Sequence, residues 1–219
     1  MNGPVTARLD AFTDAAFAFA VTLLVIGGSD ASLSYAGLVA AVADVPTFAI
    51  GFAIIVLFWF GHVRWRSYRG DGDWLSALLT LLLIFLVLIY IQPLRAMARS
   101  LSSFLGGSGR PFVGDLGDLF MIYGAGFVAM SLATAGLFAE ALRDRELDRE
   151  KRAAARGETW IWLIMAGTGL ASVALAAFEV TERLAPWTYA TLGVTTVLFS
   201  LRYEWSGRRG DPGGSEPGG

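Results

Sequence analysis

Arg8-Leu9-Asp10-Ala11-Phe12-Thr13-Asp14-Ala15-Ala16-Phe17-Ala18-Phe19-Ala20-Val21-Thr22-Leu23-Leu24-Val25-Ile26 combines the length of a membrane-crossing helix with three charges in its first two turns. An ionisable side chain inside such a segment costs roughly 2.5–3.5 kcal/mol on insertion scales and usually faces a bundle interior or a water-filled path instead of lipid. The stretch is therefore read as a helix with two unlike faces. At about 100° per residue, Phe19, Thr22 and Ile26 fall on one stripe (i, i+3, i+7), and Asp10 and Asp14 fall on another (i, i+4). Arg8 lies well around the helix from Asp14, so each of these two charges needs a partner on another element. Thr6 suits the N-cap, with Asp10 close to the positive end of the helix dipole.

Composition places this helix in a larger membrane assembly. Hydrophobic residues make up 55% of the chain and charged ones 16%, with a positive mean hydropathy, the profile of a multi-span membrane protein. The formal net charge of −2 gives no reason to expect nucleic-acid binding. The absence of cysteine excludes disulfides and thiolate metal sites, and a single His is too few for a His-based metal cluster. No cofactor is implied. The N-terminus lacks the basic n-region and small-residue cleavage site of a signal peptide, so the first apolar run is expected to stay as a helix.

Five further spans follow. The second runs from about Asp44 to Phe60, with Pro46 near its start where a missing N–H is tolerated. It leads into Phe58-Trp59-Phe60-Gly61-His62-Val63-Arg64-Trp65-Arg66, an interfacial mixture of aromatics and arginines. The third, Leu75 to Ile91, is expected to stop at Gln92-Pro93, and residues 100–114 read as a Ser/Gly-rich loop. The fourth, Leu119 to Leu142, carries Gly124, Gly126, Ser131, Ala133, Ala135 and Gly136, small residues that let helices approach closely. The alternating charges from Arg143 to Arg152 predict a solvated helical extension of that span. The fifth runs from Trp160 to about Phe178 and the sixth from about Pro186 to Tyr203. The Gly/Pro-rich residues 206–219 are expected to form a disordered tail beside a membrane domain over 1–205. With six spans, one side of the membrane receives 13 of the 17 Lys and Arg residues. The positive-inside rule then puts both termini in the cytoplasm of a multi-pass cell-membrane protein.

Arg8-x-x-x-Phe12-Thr13-Asp14, running into Ala20-Val21-Thr22-Leu23-Leu24-Val25, resembles the R-x-x-x-F-S-D signature and following A-I-T-L-L-V-L run of the transmembrane protein 175 family. Those proteins are endosomal and lysosomal potassium channels and their prokaryotic homologues. Trp59-Phe60-Gly61-His62-Val63-Arg64 is similar to the aromatic W-x-x-H segment that closes the second helix in that family. The resemblance implies an all-α membrane protein of six transmembrane helices, assembled as a homotetramer in the lipid bilayer, whose first helix lines a central pore without a P-loop filter. It implies that Phe19 occupies the narrowest ring, with Thr22 and Ile26 lining the pore above it, and that Arg8, Thr13, Asp14 and His62 form a structural network at the start of that helix. Thr13 stands where Ser is usual and keeps the hydroxyl. Phe19 is bulkier than the usual Ile or Leu. Pro93 matches the end of the family's third helix, whereas the Asn frequent early in that helix is absent here.

Two other function classes compete. A secondary transporter predicts broken helices or inverted repeats near the bilayer midplane, and Gly51, Gly126, Gly167 and Gly169 are more simply read as packing positions. An intramembrane enzyme predicts H-E-x-x-H, G-x-S-x-G or paired mid-membrane aspartates, none of which occurs. Potassium permeation through a hydrophobic constriction is the expectation carried forward.

Overall fold

Apolar runs become helices in a membrane because lipid offers no hydrogen-bond partners, so each segment must satisfy its own backbone. The computed structural model describes residues 3–26, 34–69, 72–104 and 116–177. Within them the chain forms α1 (Gly3–Ile26), α2 (Tyr35–Ala43), α3 (Val45–Tyr68), α4 (Trp74–Phe104), α5 (Leu116–Ala141) and α6 (Arg149–Ala176). The protein is all-α, as expected, and all of these helices except α2 are long and apolar enough to cross a membrane. The span expected over 186–203, and with it the boundary between a domain ending at 205 and a tail, lies outside the described residues.

Helix ends follow local chemistry. Thr6, expected as an N-cap, lies inside α1, which begins at Gly3. Ser34 starts α2 by accepting the Gly37 N–H on its hydroxyl (3.0 Å). The chain then turns at Asp44 and restarts as α3, with Pro46 in the first turn, where its missing N–H leaves nothing unpaired. Asp73 caps α4: its carboxylate accepts the Ser76 N–H (2.9 Å), while the Ser76 hydroxyl donates to the Asp73 carbonyl (2.8 Å). That acceptance, aided by the charges of Arg69 and Arg143, holds the Asp73 carboxyl below its usual range.

Several boundaries differ from expectation: α3 runs on past Phe60 to Tyr68, and α6 begins at Arg149, well before Trp160. α4 does not stop at Pro93 but continues through it to Phe104. A proline removes one i to i−4 bond, and within a span that loss alone does not end a helix. The charged run after α5 is not a helical extension. Residues 142–148 turn, and α6 begins at Arg149 behind Asp148, whose side chain caps the Lys151 N–H at 2.7 Å. Arg152 folds back over this turn and donates to the carbonyls of Leu142 and Asp144.

The core centres on α5, which packs against α3, α4 and α6. Phe127 on α5 meets Phe58 of α3 edge-on at 5.7 Å, and Phe58 in turn lies 5.3 Å from Trp162 of α6. Close approach depends on the small residues. A Cβ on Gly126 would sit 2.2 Å from the ring of Tyr90, and one on Gly61 would sit 2.4 Å from the ring of Trp162. Gly51 and Gly169 are likewise crowded, by Leu24 and Val128, whereas Gly167 faces open space.

Candidate functional site

Helix α1 packs on α3 and α4 only along one stripe. Thr6, Thr13, Phe17, Ala20 and Leu24 are buried there, at spacings that return to the same face of a helix. Thr13 is fully buried and donates its hydroxyl to the Leu9 carbonyl one turn back (2.8 Å). Leu24 closes over Gly51 of α3.

The opposite stripe is bare. Arg8, Phe12, Ala15, Phe19, Thr22 and Ile26 are all exposed, with Phe19 56% and Ile26 63% accessible. Thr22 donates to the Ala18 carbonyl (3.0 Å), which leaves its oxygen facing outward as an acceptor. Phe19, Thr22 and Ile26 therefore do share a face, and within one chain that face points away from the bundle.

The charges at the start of α1 divide between the two sides. Asp10 accepts from Nε and Nη2 of Arg66 on α3 (3.1 and 2.9 Å), and Arg66 also donates to the Arg69 carbonyl (3.1 Å). Asp14 accepts from the Trp59 indole N–H at 2.9 Å. His62, buried between helices, lies 3.3 Å from the Thr80 hydroxyl of α4 and against the Trp65 ring. Among the described residues Arg8, Thr13, Asp14 and His62 are not joined to one another by direct hydrogen bonds or ion pairs, although Asp14 and Asp10 lie within electrostatic reach of His62. Thr13 bonds its own helix, His62 turns to α4, and Arg8 has no ion pair among the described residues. The residues that sequence reasoning missed are Trp59 and Arg66. They are seven apart on α3, hence on one stripe, and meet Asp14 and Asp10, four apart on the antiparallel α1.

A second set of ion pairs ties the same end of the bundle together. Arg64 of α3 meets Glu158 of α6 at 2.6 Å, and Arg69 reaches both Glu140 (2.9 Å) and Asp144 (3.3 Å). Among the described residues there is no group of three or more His, Asp or Glu side chains placed to hold a metal ion. What α1 offers is a rigid helix, fastened on one side and carrying an apolar stripe with one hydroxyl on the other.

Residues 8–93 match the family described as the endosomal/lysosomal potassium channel TMEM175. A protein of Marivirga tractuosa named "Potassium channel" is 38% identical over 106 residues, covering 48% of this chain and 42% of that relative, so the match spans less than half of the relative's length. Among solved structures, a variant of the potassium channel MtTMEM175, in complex with a nanobody–MBP fusion protein, superposes with a TM-score of 0.77 at 25% identity, covering 90% of this chain and 93% of the other. A lysosomal potassium-selective channel TMEM175 homolog from Chamaesiphon minutus shares the fold, with a TM-score of 0.63 at 23% identity over 91% of this chain and 98% of that one.

Proposed function

We propose that the chain is a member of the TMEM175 family, whose model its residues 8–93 match, and that it is a potassium-permeable channel, not an enzyme, whose pore is lined by α1 in a homotetramer. The observation that supports this most is the division of α1 into a packed stripe and a bare one. A span fastened to α3 and α4 on one side turns Phe19, Thr22 and Ile26 outward, where they can face their counterparts around a shared axis. Phe19 forms the narrowest ring. A constriction of phenyl rings gates by excluding water, since a cation crossing a dry ring loses hydration that no side chain there replaces. Thr22 supplies a hydroxyl oxygen just beyond it, and Ile26 a second apolar ring. The basic residues concentrate at the end where α1 begins, so both termini face the cytoplasm of a cell-membrane protein. The transporter reading draws no support from discontinuous helices, because α1, α3, α5 and α6 run unbroken over their described lengths.

Reconstitution into liposomes tests the reading. Reversal potentials under opposing potassium and sodium gradients report permeation, and Phe19→Ala, by widening the ring, is expected to raise potassium flux at least several-fold. Phe85→Ala, which truncates an equally exposed phenylalanine on α4, is expected to leave flux unchanged. Equal flux through wild type, Phe19→Ala and Phe85→Ala in intact assemblies would show that this stripe does not line the pathway.

A further inference from the structure

Arg8 has no role in the fastening of α1, and its position explains why. It precedes Phe19 by eleven residues, about three turns, so the two side chains leave the helix within about 20° of each other, with Arg8 roughly 16 Å nearer the N-terminal end. Asp10 and Asp14 leave on the other side. Both are engaged, by Arg66 and Trp59 of α3. Arg8 itself is exposed and has no ion pair among the described residues. The acids that could cancel its charge within its own helix are turned away and occupied.

We propose that Arg8 forms a cationic collar at the cytoplasmic mouth of the pore and makes conduction asymmetric, weakest for cations arriving from the cytoplasmic side. The proposal rests on the pore-lining reading of α1. In a fourfold assembly the stripe that carries Phe19 to the axis also carries four guanidinium groups to the vestibule below it. If the four charges are each taken to lie about 8 Å from the axis, Coulomb repulsion in water with physiological screening lowers cation occupancy at the mouth about fourfold. At 1 M salt the screening length falls to about 3 Å and the depletion shrinks to about 1.3-fold. The collar therefore acts as a salt-dependent rectifier, separate from the dry ring that sets the closed state.

The chain contains no cysteine, which permits a test after assembly. Arg8→Cys channels in planar bilayers are treated from the N-terminal side with thiol-reactive methanethiosulfonates carrying either a positive or a negative charge. Before treatment, single-channel current for potassium arriving from that side is expected to exceed wild type about threefold to fourfold at 0.15 M salt and to converge with it at 1 M. The positive reagent is expected to restore the wild-type asymmetry, and the negative one to raise the current further. A conducting Arg8→Cys channel whose current–voltage curve ignores the sign of the reagent overturns the collar while leaving the pathway intact. Charge-dependent currents combined with a Phe19→Ala channel no more conductive than wild type keep the collar and remove Phe19 from the constriction. No conduction from any form of the protein overturns both.

Discussion

Helices α1 and α5 are both long and apolar enough to cross a membrane, yet the chain treats them differently: 28% of the α1 span is buried inside the protein against 56% of the α5 span. In water an exposed phenylalanine stripe on α1 would be a defect. In a bilayer, lipid tails are as apolar as any side chain, so burial between helices is driven by fit and by polar contacts instead. α5 has that fit, with Gly126 under Tyr90, Phe127 against Phe58 and Gly169 of α6 against Val128. α1 has it along one stripe only, and its remaining attachments are the polar bonds from Asp10 and Asp14 to α3. The lesson is that α5 is specified by its neighbours in the same chain, whereas the bare face of α1 is left for something outside it.

The contrast predicts a ranking of damage. Gly126→Ala should be the most severe, because its Cβ would lie 2.2 Å from a Tyr90 ring whose hydroxyl is already committed to the Tyr123 carbonyl. Overpacking of this kind costs about 1–3 kcal/mol, and the upper end is expected. Gly167→Ala on α6, where nothing lies within 4 Å, is the matched reference and should change little. Unfolding midpoints in mixed detergent compare the two, and similar midpoints would mean that α5 is not the packed hub described above.

Phe17→Ala sharpens the comparison on α1 itself. Phe17 is 4% exposed and Phe19 is 56% exposed, so two phenylalanines two residues apart should respond oppositely. Truncating Phe17 leaves a cavity. Since lipid replaces water as the outer solvent, only the cavity part of the usual Phe→Ala cost applies, about 2 kcal/mol. Phe19→Ala should cost stability little while changing flux. A midpoint lowered equally by both substitutions would erase the two-faced description of α1.

The smallest effect concerns Asp73. Asp73→Ala removes the cap of α4 and should lower stability by about 1 kcal/mol at neutral pH. The Ser76 N–H holds this carboxyl below its ordinary 3.8, so its contribution is present above that value and is lost as pH falls through the lower, folded-state pKa. The difference between wild type and variant should accordingly close in strong acid. A gap that persists there would point to a packing effect of the substitution instead of the cap.

Much of this arrangement is legible in the sequence, for reasons that differ by feature. Long apolar runs announce the spans because composition alone fixes them, and the stripe of Phe19, Thr22 and Ile26 follows from helical spacing. The turn over residues 142–148 does not, since alternating charges suit a solvated helix as well as a loop, and the choice falls to Arg152 reaching back to two carbonyls. Pro93 misleads in the other direction, because a proline ends helices more reliably in water than within a span. The partners of Asp10 and Asp14 stay hidden for a geometric reason. Which residues of α3 face them depends on how two helices cross, and only the seven-residue spacing of Trp59 and Arg66 hints at it.

The back-folded guanidinium of Arg152 has a mechanical consequence. It holds the carbonyls of Leu142 and Asp144, while the Asp144 side chain accepts the Glu146 N–H at 3.0 Å and also meets Arg69. A connection fastened at so many atoms cannot work as a hinge. Those contacts couple the end of α5 to the start of α6 and, through Arg69, to the end of α3. Bending costs least where such bolts are missing, and the backbone bond that Pro93 cannot donate leaves one such place in α4.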